Sequence, residues 1–563
     1  MNYSHVSLIT NETNKKYFIQ NTSKRKLKLM NTVSIVIDSE VLSKWKFDLI
    51  SRICKVIDVK EFIILGKKSK TTFKGILLTF LTQNLSSLSL VGKFSSLPRV
   101  HDSDLFRASG DIIWLSDSSL PINYSGSIYF VGNCEGKNYS KLNYLSKHNK
   151  KNYGNFSLLM KKQKNVYEIL SYSYTEMIGY NPIRTINQHL GSLSFLTNGL
   201  LSPGGYKDVH AILNETLEAG TAELDYGIVH KFIAKVFNWL LYFTSWSLYE
   251  YPNIVSTVSK NTLEEKELIK LFDDPPWRFK ADPFFDQKTG NLMVEDFNYF
   301  SGRGSLSVFP YSSPDEITSL NTPKKIHYSY PQMIRYKDEL YLIPESAQTN
   351  KIDLYKVEGM EASYVKTLVD SFSGIDPTIV YNNNKYWLFA TDGSGGSYWK
   401  LHVWYSDDLL GDWIPHRLNP VKSDVRSSRG AGAIYKDGSR LVRPTQNCFP
   451  NYGSSISLNE ITRLTPDDFN EKVVGEIFPP DNDEFLGIHT ISNIGNKTVV
   501  DLKTQPFLPG ARILPLLRSR GKISSSYSNL DNSLLKRWGL LLIMGSLLVL
   551  FYLFGWQTLS LFG

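Results

Sequence analysis

Two aspartates and one histidine are the side chains with the clearest capacity for chemistry. Asp282 and Asp376 each precede a proline inside an apolar segment typical of the start of a strand, and His489 occupies a similar position further along the chain. A pair of carboxylates can share the roles of proton donor and proton acceptor, as hydrolysis of a glycosidic bond requires. The alternative interpretation is structural, because the carboxylate of an Asp-Pro pair commonly accepts backbone N–H bonds in a turn.

The elements that would position these residues form a repeat between residues 272 and 505. Five units, each with a hairpin turn between apolar alternating segments, begin roughly 45 to 60 residues apart. The units are FKADPFFDQKTGNLMVEDF, YSYPQMIRYKDELYLIPES, GIDPTIVYNNNKYWLFATD, GAGAIYKDGSRLVRPTQN and LGIHTISNIGNKTVVDLKT. This spacing predicts a five-bladed β-propeller, and the innermost strands of its blades would bring Asp282, Asp376 and His489 to one end of the central channel.

The region before the repeat has a different texture. Residues 32–222 open with VSIVID, KWKFDLISRICKVI and EFIILG, which predict strand, helix and strand, and the segments DIIWLS and SIYFVG continue the alternation. We therefore expect an α/β domain here. No glycine-rich phosphate loop follows the first strand, so nucleotide binding of that kind is not predicted. Residues 1–31 form a basic leader that we expect to be disordered.

Two segments outside these domains are rich in apolar residues. Residues 223–271 predict a helical connector, either packed between domains or lying at a membrane interface. After a basic linker at 506–537, residues 538–558 carry no charge and are long enough for a transmembrane helix. The cations before that helix and the lack of an N-terminal signal peptide predict a single-pass membrane protein with cytoplasmic folded domains.

Charge and cysteine content exclude several classes of protein. The net charge of +9 is concentrated near the two ends, and no groove-reading or base-stacking motif accompanies it, so no nucleic-acid partner is predicted. The three cysteines are widely separated, which supports neither a disulfide scaffold nor a thiolate metal site. We predict no metal and no cofactor.

The repeat also carries a family resemblance. The segments FKADPFF, YPQMIRYKDELYLIPES, DPTIV, NPVKSDVRSSRGAGAIYKDGSRLVRPTQNCFPNYG and EITRLTP resemble the propeller region at the N-terminus of glucosamine inositolphosphorylceramide transferases, and the blade starts resemble the propellers of glycoside hydrolase family 43. By that resemblance Asp282 matches a general base, Asp376 the carboxylate that tunes the acid and orients the sugar, and His489 a channel residue. In the plant enzymes a separate glycosyltransferase domain follows the propeller, so the transferase activity does not carry over.

The general acid departs from the family pattern. Where the family has a Glu-Gly-Pro, this sequence has Arg429 followed by Gly-Ala-Gly, without a carboxylate. Glu345 and Glu295 are the acids that could substitute, and we place Glu345 with the catalytic candidates and Glu295 with the substrate-binding ones. Arg429 and Arg443 add positive charge that would favour an anionic sugar, a phosphate or an ion pair with the carboxylates.

Residues 32–222 resemble a diverged formyltransferase domain. Such domains need a neighbouring Asn, His and Asp, whereas the window SIYFVGNCEGK has an asparagine and no histidine, so formyltransferase activity is not expected. For the whole chain we predict a membrane-anchored protein that acts on or binds a glycan or a glycolipid-linked sugar. The alternatives are a non-catalytic scaffold or pseudoenzyme in glycan or glycolipid assembly and, with less support, a glycosyltransferase.

Overall fold

The computed structural model describes the propeller region almost continuously and the N-terminal region in pieces. The described residues are 16–18, 33–37, 41–57, 59–65, 87–89, 99–101, 111–115, 124, 127–132, 148–149, 154–163, 166–176, 221–222, 244–254, 260–275, 277–299, 301–449 and 451–506. Most of the predicted leader, the basic linker after residue 506 and the predicted transmembrane helix at 538–558 lie outside them. Within the described ranges, no helix is long and apolar enough to cross a membrane.

The N-terminal region contains an eight-stranded mixed sheet and the helix Lys44–Val56. In sheet order the strands are Lys16–Phe18, Val166–Glu176, Gly154–Gln163, Ile128–Gly132, Asp111–Trp114, Val33–Ile37, Val59–Ile64 and Arg99–His101. The last five run parallel to one another, and two further pairs join Val41–Ser43 to Ser87–Ser89 and His148–Asn149 to Thr221–Ala222. At the start of this region the structure has the strand Val33–Ile37, the helix Lys44–Val56 and the strand Val59–Ile64.

The helix is explained by its pattern of apolar residues. Leu49, Ile50 and Ile53 recur three and four positions apart and are buried against the sheet strands Val33–Ile37 and Val59–Ile64. The strand Val33–Ile37 is buried on both faces, as an inner strand of a parallel sheet requires. The spacing of the apolar residues in the sequence therefore agrees with their burial in this α/β unit.

The propeller is confirmed, with five sheets that follow one another around a channel. Blade 1 consists of Arg278–Asp286, Asn291–Asn298, Arg303–Pro310 and Thr318–Ser319, and blade 2 of Ser329–Tyr336, Glu339–Glu345, Lys351–Glu358 and Glu361–Asp370. Blade 3 consists of Gly374–Asn382, Lys385–Asp392, Gly396–Ser406, Ile414–Pro415 and Lys422–Ser423. Blade 4 consists of Arg429–Gly430, Tyr435–Asp437, Arg440–Asn447, Ser455–Leu464, Phe469–Phe478 and Lys260–Thr262. Blade 5 consists of Gly487–Ile494, Lys497–Thr504, Ser245–Tyr251 and Ile269–Lys270. Short 3₁₀ turns lie at Glu265–Glu267, Pro314–Glu316 and Ala347–Thr349.

Blade 5 closes the ring with chain from both ends of the propeller. Ser245–Tyr251 pairs with Lys497–Thr504, so a strand that precedes blade 1 in sequence completes the last blade. The helical connector predicted at 223–271 is therefore wrong in its described part, and residues 223–243 lie outside the described residues. The prediction failed because SWSLYEY alternates with period two but follows an aromatic-rich apolar run that favours a helix.

The N-terminal sheet contacts blade 3 directly. The strand Val166–Glu176 reaches Asp424 through Tyr174, and the hydroxyls of Ser173 and Ser423 lie 2.8 Å apart. On the other side of the contact, the guanidinium of Arg52 donates to the backbone oxygens of Leu418 and Asn419, at 3.1 and 2.8 Å. Since these bonds join residues more than 240 positions apart in sequence, they hold the sheet and the propeller together.

Ring closure makes a prediction for stability. Leu248 is fully buried where blade 5 packs against Leu292 and Phe309 of blade 1. We expect Leu248→Ala to lower the free energy of unfolding by about 2–5 kcal/mol in urea titrations, because it opens a cavity in the closing interface. Ile269→Ala, in the same blade but 58% exposed, is the control and should change stability by less than about 0.5 kcal/mol. Equal effects of the two substitutions would show that this interface does not hold the ring closed.

Candidate functional site at one end of the propeller channel

The innermost strands of four blades carry a bulge at the same place. The pairing of the first and second strands shifts after Ala281, Ser329, Ile375 and Ile488. The residues just beyond three of these points have positive φ, namely Asp282 at 53°, Tyr330 at 46° and Asp376 at 48°. Positive φ is costly for residues other than glycine, so surrounding contacts must hold these turns.

Asp282 lies in the channel between blades 1, 2 and 5. Its carboxylate accepts the backbone N–H of Tyr330 at 3.0 Å and the hydroxyl of Thr490 at 2.8 Å. The imidazole Nε2 of His489 lies 3.6 Å from the same carboxylate. Burial is the largest influence on Asp282 and, together with the negative charges of Asp376 and Asp501, raises its pKa to about 6 despite the opposing effect of His489.

His489 is held by a carboxylate that the sequence analysis missed. Asp501, which is completely buried, lies 2.6 Å from Nδ1 of His489 and accepts the backbone N–H groups of Asp282, His489 and Thr490. Burial alone would lower the pKa of His489, but the charges of Asp501 and Asp282 outweigh burial and raise it. Asp282, His489 and Asp501 offer ligand atoms within 4.8 Å of one another, a spacing that a metal ion could use, although hydrogen bonds already engage these atoms.

Asp376 forms the second cluster in the channel. Nε and a terminal nitrogen of Arg429 donate to its two oxygens at 2.6 and 3.3 Å, and the side-chain amide of Gln446 donates at 2.7 Å. Glu345 accepts the backbone N–H of Asp376 at 3.2 Å and lies 3.9 Å from Arg429. Burial, followed by the charge of Asp376, raises the pKa of Glu345 well above its usual value. The structure thus brings Asp376, Glu345 and Arg429 together.

The inner strand of blade 4 begins with Arg429, Gly430, Ala431 and Gly432 and carries no carboxylate there. Gly432 has φ 127°, and a Cβ there would lie 2.3 Å from the backbone oxygen of Ile491. The hydroxyl of Tyr330 accepts the N–H of Gly432 at 2.8 Å and also lies 3.0 Å from the hydroxyl of Thr378. Tyr330 therefore reaches from blade 2 to blade 4 and fills part of the channel.

Glu295 is buried beside the channel in the second strand of blade 1. Its carboxylate lies 3.8 Å from Nε2 of His327, and a Cβ on Gly304 would lie only 2.3 Å from its Oε1. Burial, followed by the charges of Asp282 and Glu345, raises its pKa well above the usual value. These charges couple Glu295 to the channel, although no hydrogen bond to Asp282 is among the contacts of the described residues.

Arg443, in contrast, is engaged away from the channel cluster. Its guanidinium donates to both oxygens of Glu471, at 2.9 and 2.6 Å, and to the backbone oxygens of Ser427 and Ser428. Both members of the ion pair are 2% exposed. This closed arrangement is an ion pair inside blade 4, and its partner Glu471 is not one of the channel carboxylates with which the sequence analysis considered an ion pair.

Aromatic rings border the channel next to Arg429 and His489. The ring of Trp246 stacks on His489 with centroids 3.7 Å apart, and Tyr452 stacks on Tyr398 at 5.5 Å. The guanidinium of Arg429 lies 4.9 Å from the centroid of Tyr452. We call Trp246, Tyr398 and Tyr452 the aromatic rim. Trp246 is buried and Tyr398 and Tyr452 are half-buried, so the two tyrosines, next to Arg429, are the rings of this set suited to contact a sugar.

The sequence analysis missed Tyr330, Trp246, Tyr452 and Asp501. The Tyr-Pro of SYPQ stands where other units have Asp-Pro, so the repeat contained a signal for Tyr330. Asp501 interrupts the apolar run VVDL, which is another usable signal. Trp246 and Tyr452 lie outside the aligned units, and only the closed ring brings them to the channel.

The fold and the channel define a five-bladed propeller with a buried carboxylate cluster, and residues 274–481 match the family model described as "Glucosamine inositolphosphorylceramide transferase 1, N-terminal". Curated proteins named glucosamine inositolphosphorylceramide transferase 1 are similar over 214 residues, with 33% identity in Arabidopsis thaliana and 29% in Oryza sativa subsp. japonica. The match covers 35% of this chain in both cases and 27% and 28% of the respective relatives, so the chain spans little more than a quarter of their length.

Solved structures with a similar arrangement include two glycoside hydrolases. Zg3597, a family 117 enzyme from Zobellia galactanivorans, has 11% identity and a TM-score of 0.30, over 47% of this chain and 90% of its own. The catalytic domain of the Coprinopsis cinerea GH62 α-L-arabinofuranosidase has 10% identity and a TM-score of 0.32, over 46% and 97%. Both TM-scores are low, so the fold assignment rests on the strand pairing described above.

The raised pKa of Asp282 predicts a pH dependence of stability. An acid whose pKa is higher in the folded than in the unfolded state stabilises the fold at low pH, and this contribution is lost as pH rises from 3.8 to about 6. Relative to Asp282→Asn, the wild-type protein should therefore lose on the order of 3 kcal/mol across that window. Urea titrations of both proteins at several pH values measure this difference.

Asp286→Asn, in the same strand as Asp282, is a control for which the pH dependence of stability should run in the opposite direction. Burial alone would raise the pKa of Asp286, but hydrogen bonds from Arg335, Thr289 and Lys288 lower it. Wild-type stability relative to this variant should fall as pH drops below 3.8. Parallel pH profiles for the wild-type protein and Asp282→Asn would contradict the assignment for Asp282.

Proposed function

We propose that this chain is a membrane-anchored carbohydrate-binding protein whose propeller recognises a glycan or a glycolipid-linked sugar at the channel end described above. The observation that carries the proposal is the junction of the carboxylate and arginine cluster with the aromatic rim, where Arg429 contacts both Asp376 and Tyr452. Hydrogen-bonding groups and flat rings together can hold the hydroxyls and the faces of a sugar. The similarity of residues 274–481 to proteins named as glycolipid transferases supports the same class of ligand.

Binding is favoured over hydrolysis because the carboxylates already have internal partners. Asp376 takes three hydrogen bonds from Arg429 and Gln446, and Asp282 takes two from Tyr330 and Thr490. Hydrolysis requires one carboxyl to protonate the leaving oxygen and another to activate water. Arg429 stands where the family pattern has its acid, so this position of blade 4 offers no carboxylate for the first of these tasks.

Catalysis on a sugar is the second candidate, and one observation favours it. The pKa of Asp282 is raised to about 6, and the pKa of Glu345 is raised well above its usual value. Catalysis would need an ionised Asp282 as base and a protonated Glu345 as acid, a division of roles found in carboxylate-pair enzymes, and the raised pKa of Glu345 favours the second of these states. A sugar transferase would need the same two states, with a sugar hydroxyl in place of water.

The remaining parts of the proposal rest on the sequence. The uncharged segment 538–558 would anchor the chain in a membrane, with the folded domains on the cytoplasmic side. The formyltransferase likeness of residues 32–222 stays a prediction, and we assign no formyl transfer to that domain. A scaffold role in glycan or glycolipid assembly is compatible with a binding propeller held at a membrane.

Binding and turnover of a glycan and glycolipid panel by the full chain in detergent test the proposal. We expect saturable binding without release of sugar. Tyr452→Ala should weaken binding about tenfold, because a stacking ring of the rim is lost. Tyr381→Ala is the matched control. It removes a 51% exposed ring from the strand Gly374–Asn382, near the end opposite to Asp376, and should leave affinity unchanged.

The carboxylate variants separate the two candidates. Released sugar that disappears in both Asp282→Asn and Glu345→Gln, and persists in Asp286→Asn, would establish an enzyme and reject the binding-only proposal. Loss of binding in Tyr381→Ala as large as in Tyr452→Ala would move the ligand away from the aromatic rim. Absence of binding to every glycan would reject both candidates.

A further inference from the structure

Lys503 is a half-buried cation near the aromatic rim. It lies in the second strand of blade 5, paired with Trp246 on one side and Gly487 on the other. Its Nζ donates to the backbone oxygen of Tyr452 at 3.0 Å and lies 5.9 and 5.8 Å from the ring centroids of Trp246 and Tyr452. Burial lowers its pKa, and among the described residues no carboxylate lies within ion-pair distance of it.

Another lysine of the same strand has a carboxylate partner. Lys497, six residues earlier, forms an ion pair with Glu250 of the adjacent strand. Lys503 instead donates to the backbone oxygen of Tyr452 and lies near the rings of Trp246 and Tyr452. Removing a cation from water without a counter-charge costs free energy, so such a residue is a candidate for a ligand contact.

Two cations lie near Tyr452, and the carboxylates of Asp282 and Asp376 also act on that ring. Asp376 is paired with Arg429, which also lies against Tyr452. The pKa of Glu345 is raised well above its usual value by burial and by Asp376, which favours its neutral form. Arg429 thus has a carboxylate partner, whereas no carboxylate of the described residues pairs with Lys503 on the other side of Tyr452.

We propose that Lys503 binds the anionic group of an acidic sugar, a carboxylate or a phosphate attached to the ring that occupies the channel end beside Tyr452. This inference rests on the proposed function and narrows its ligand to sugars that carry a negative charge. An ammonium has three N–H donors, and the oxygen of Tyr452 takes one, so two remain for the oxygens of an anion. Charge-assisted bonds of this kind are about twice as strong as neutral ones.

The experiment compares charged and neutral ligands on the full chain. Isothermal titration with glucuronate, glucose 1-phosphate, glucose and inorganic phosphate at low salt measures the contribution of the anion. We expect the wild-type protein to bind at least one acidic sugar about tenfold tighter than glucose. Lys503→Met should abolish that preference without weakening glucose binding, whereas Lys497→Met, which breaks the paired lysine of the same strand, should retain it.

A thermal melt separates binding from a structural role. If Lys503 serves a ligand, Lys503→Met removes an unpaired cation and leaves the melting temperature unchanged or higher. If Lys503 only braces the backbone of Tyr452, the variant melts lower and loses glucose and glucuronate binding equally, which would overturn the inference. Equal affinity of the wild-type protein for glucose and both acidic sugars would also overturn it, while the proposed function would stand.

The phosphate titration keeps the two proposals distinguishable. Lys503-dependent binding of inorganic phosphate, with no added affinity from any sugar ring, would support an anion site and reject sugar recognition. No binding of any of the four probes would reject the anion site, and the glycan panel would then decide the proposed function.

Discussion

The carboxylate of Asp501 is the interaction on which the channel depends. It is completely buried and accepts N–H groups from both the first and the last inner strand of the propeller, those of Asp282 in blade 1 and of His489 and Thr490 in blade 5. A buried acceptor of several backbone donors satisfies groups that the bulges take out of the strand ladder. The same carboxylate orients the imidazole of His489, so ring closure and the arrangement of the site share one residue.

The other channel carboxylates repeat this arrangement from blade to blade. Asp282 of blade 1 accepts the N–H of Tyr330 in blade 2, and Glu345 of blade 2 accepts the N–H of Asp376 in blade 3. Each of these donors belongs to a residue with positive φ, a conformation that needs support from its surroundings. The carboxylates are thus fixed by a structural task. That task also explains why they are buried, and burial raises the pKa of Asp282 and Glu345 into a range of chemical interest.

The sequence predicted the propeller better than the site, because strands and turns are local features whereas the site residues are far apart in sequence. Period-two alternation and hairpin turns are local signals, and the turns have the positive φ that their Asn, Asp and Gly residues suggest, as at Asn383 and Asn384. The Asp-Pro repeat located Asp282 and Asp376, but it did not show their partners. Asp282 accepts a backbone N–H from Tyr330 of the next blade rather than from its own turn, and Asp376 accepts from the side chains of Arg429 and Gln446. Arg443 could not be separated from channel residues, because sequence does not show whether a strand position faces the channel or the blade interior.

The similarity to known proteins covers only part of what surrounds the channel. The family match ends at residue 481 and begins at residue 274, whereas Trp246, His489, Asp501 and Lys503 lie outside it. Blade 5 is built entirely from those flanking segments, and it supplies the stacked ring, the imidazole and the unpaired cation at the channel end. A ligand that fits here would contact groups that the matched segment does not contain. The matched segment therefore contributes Arg429 and Tyr452 to this end of the channel, and blade 5 adds contacts that lie outside the match.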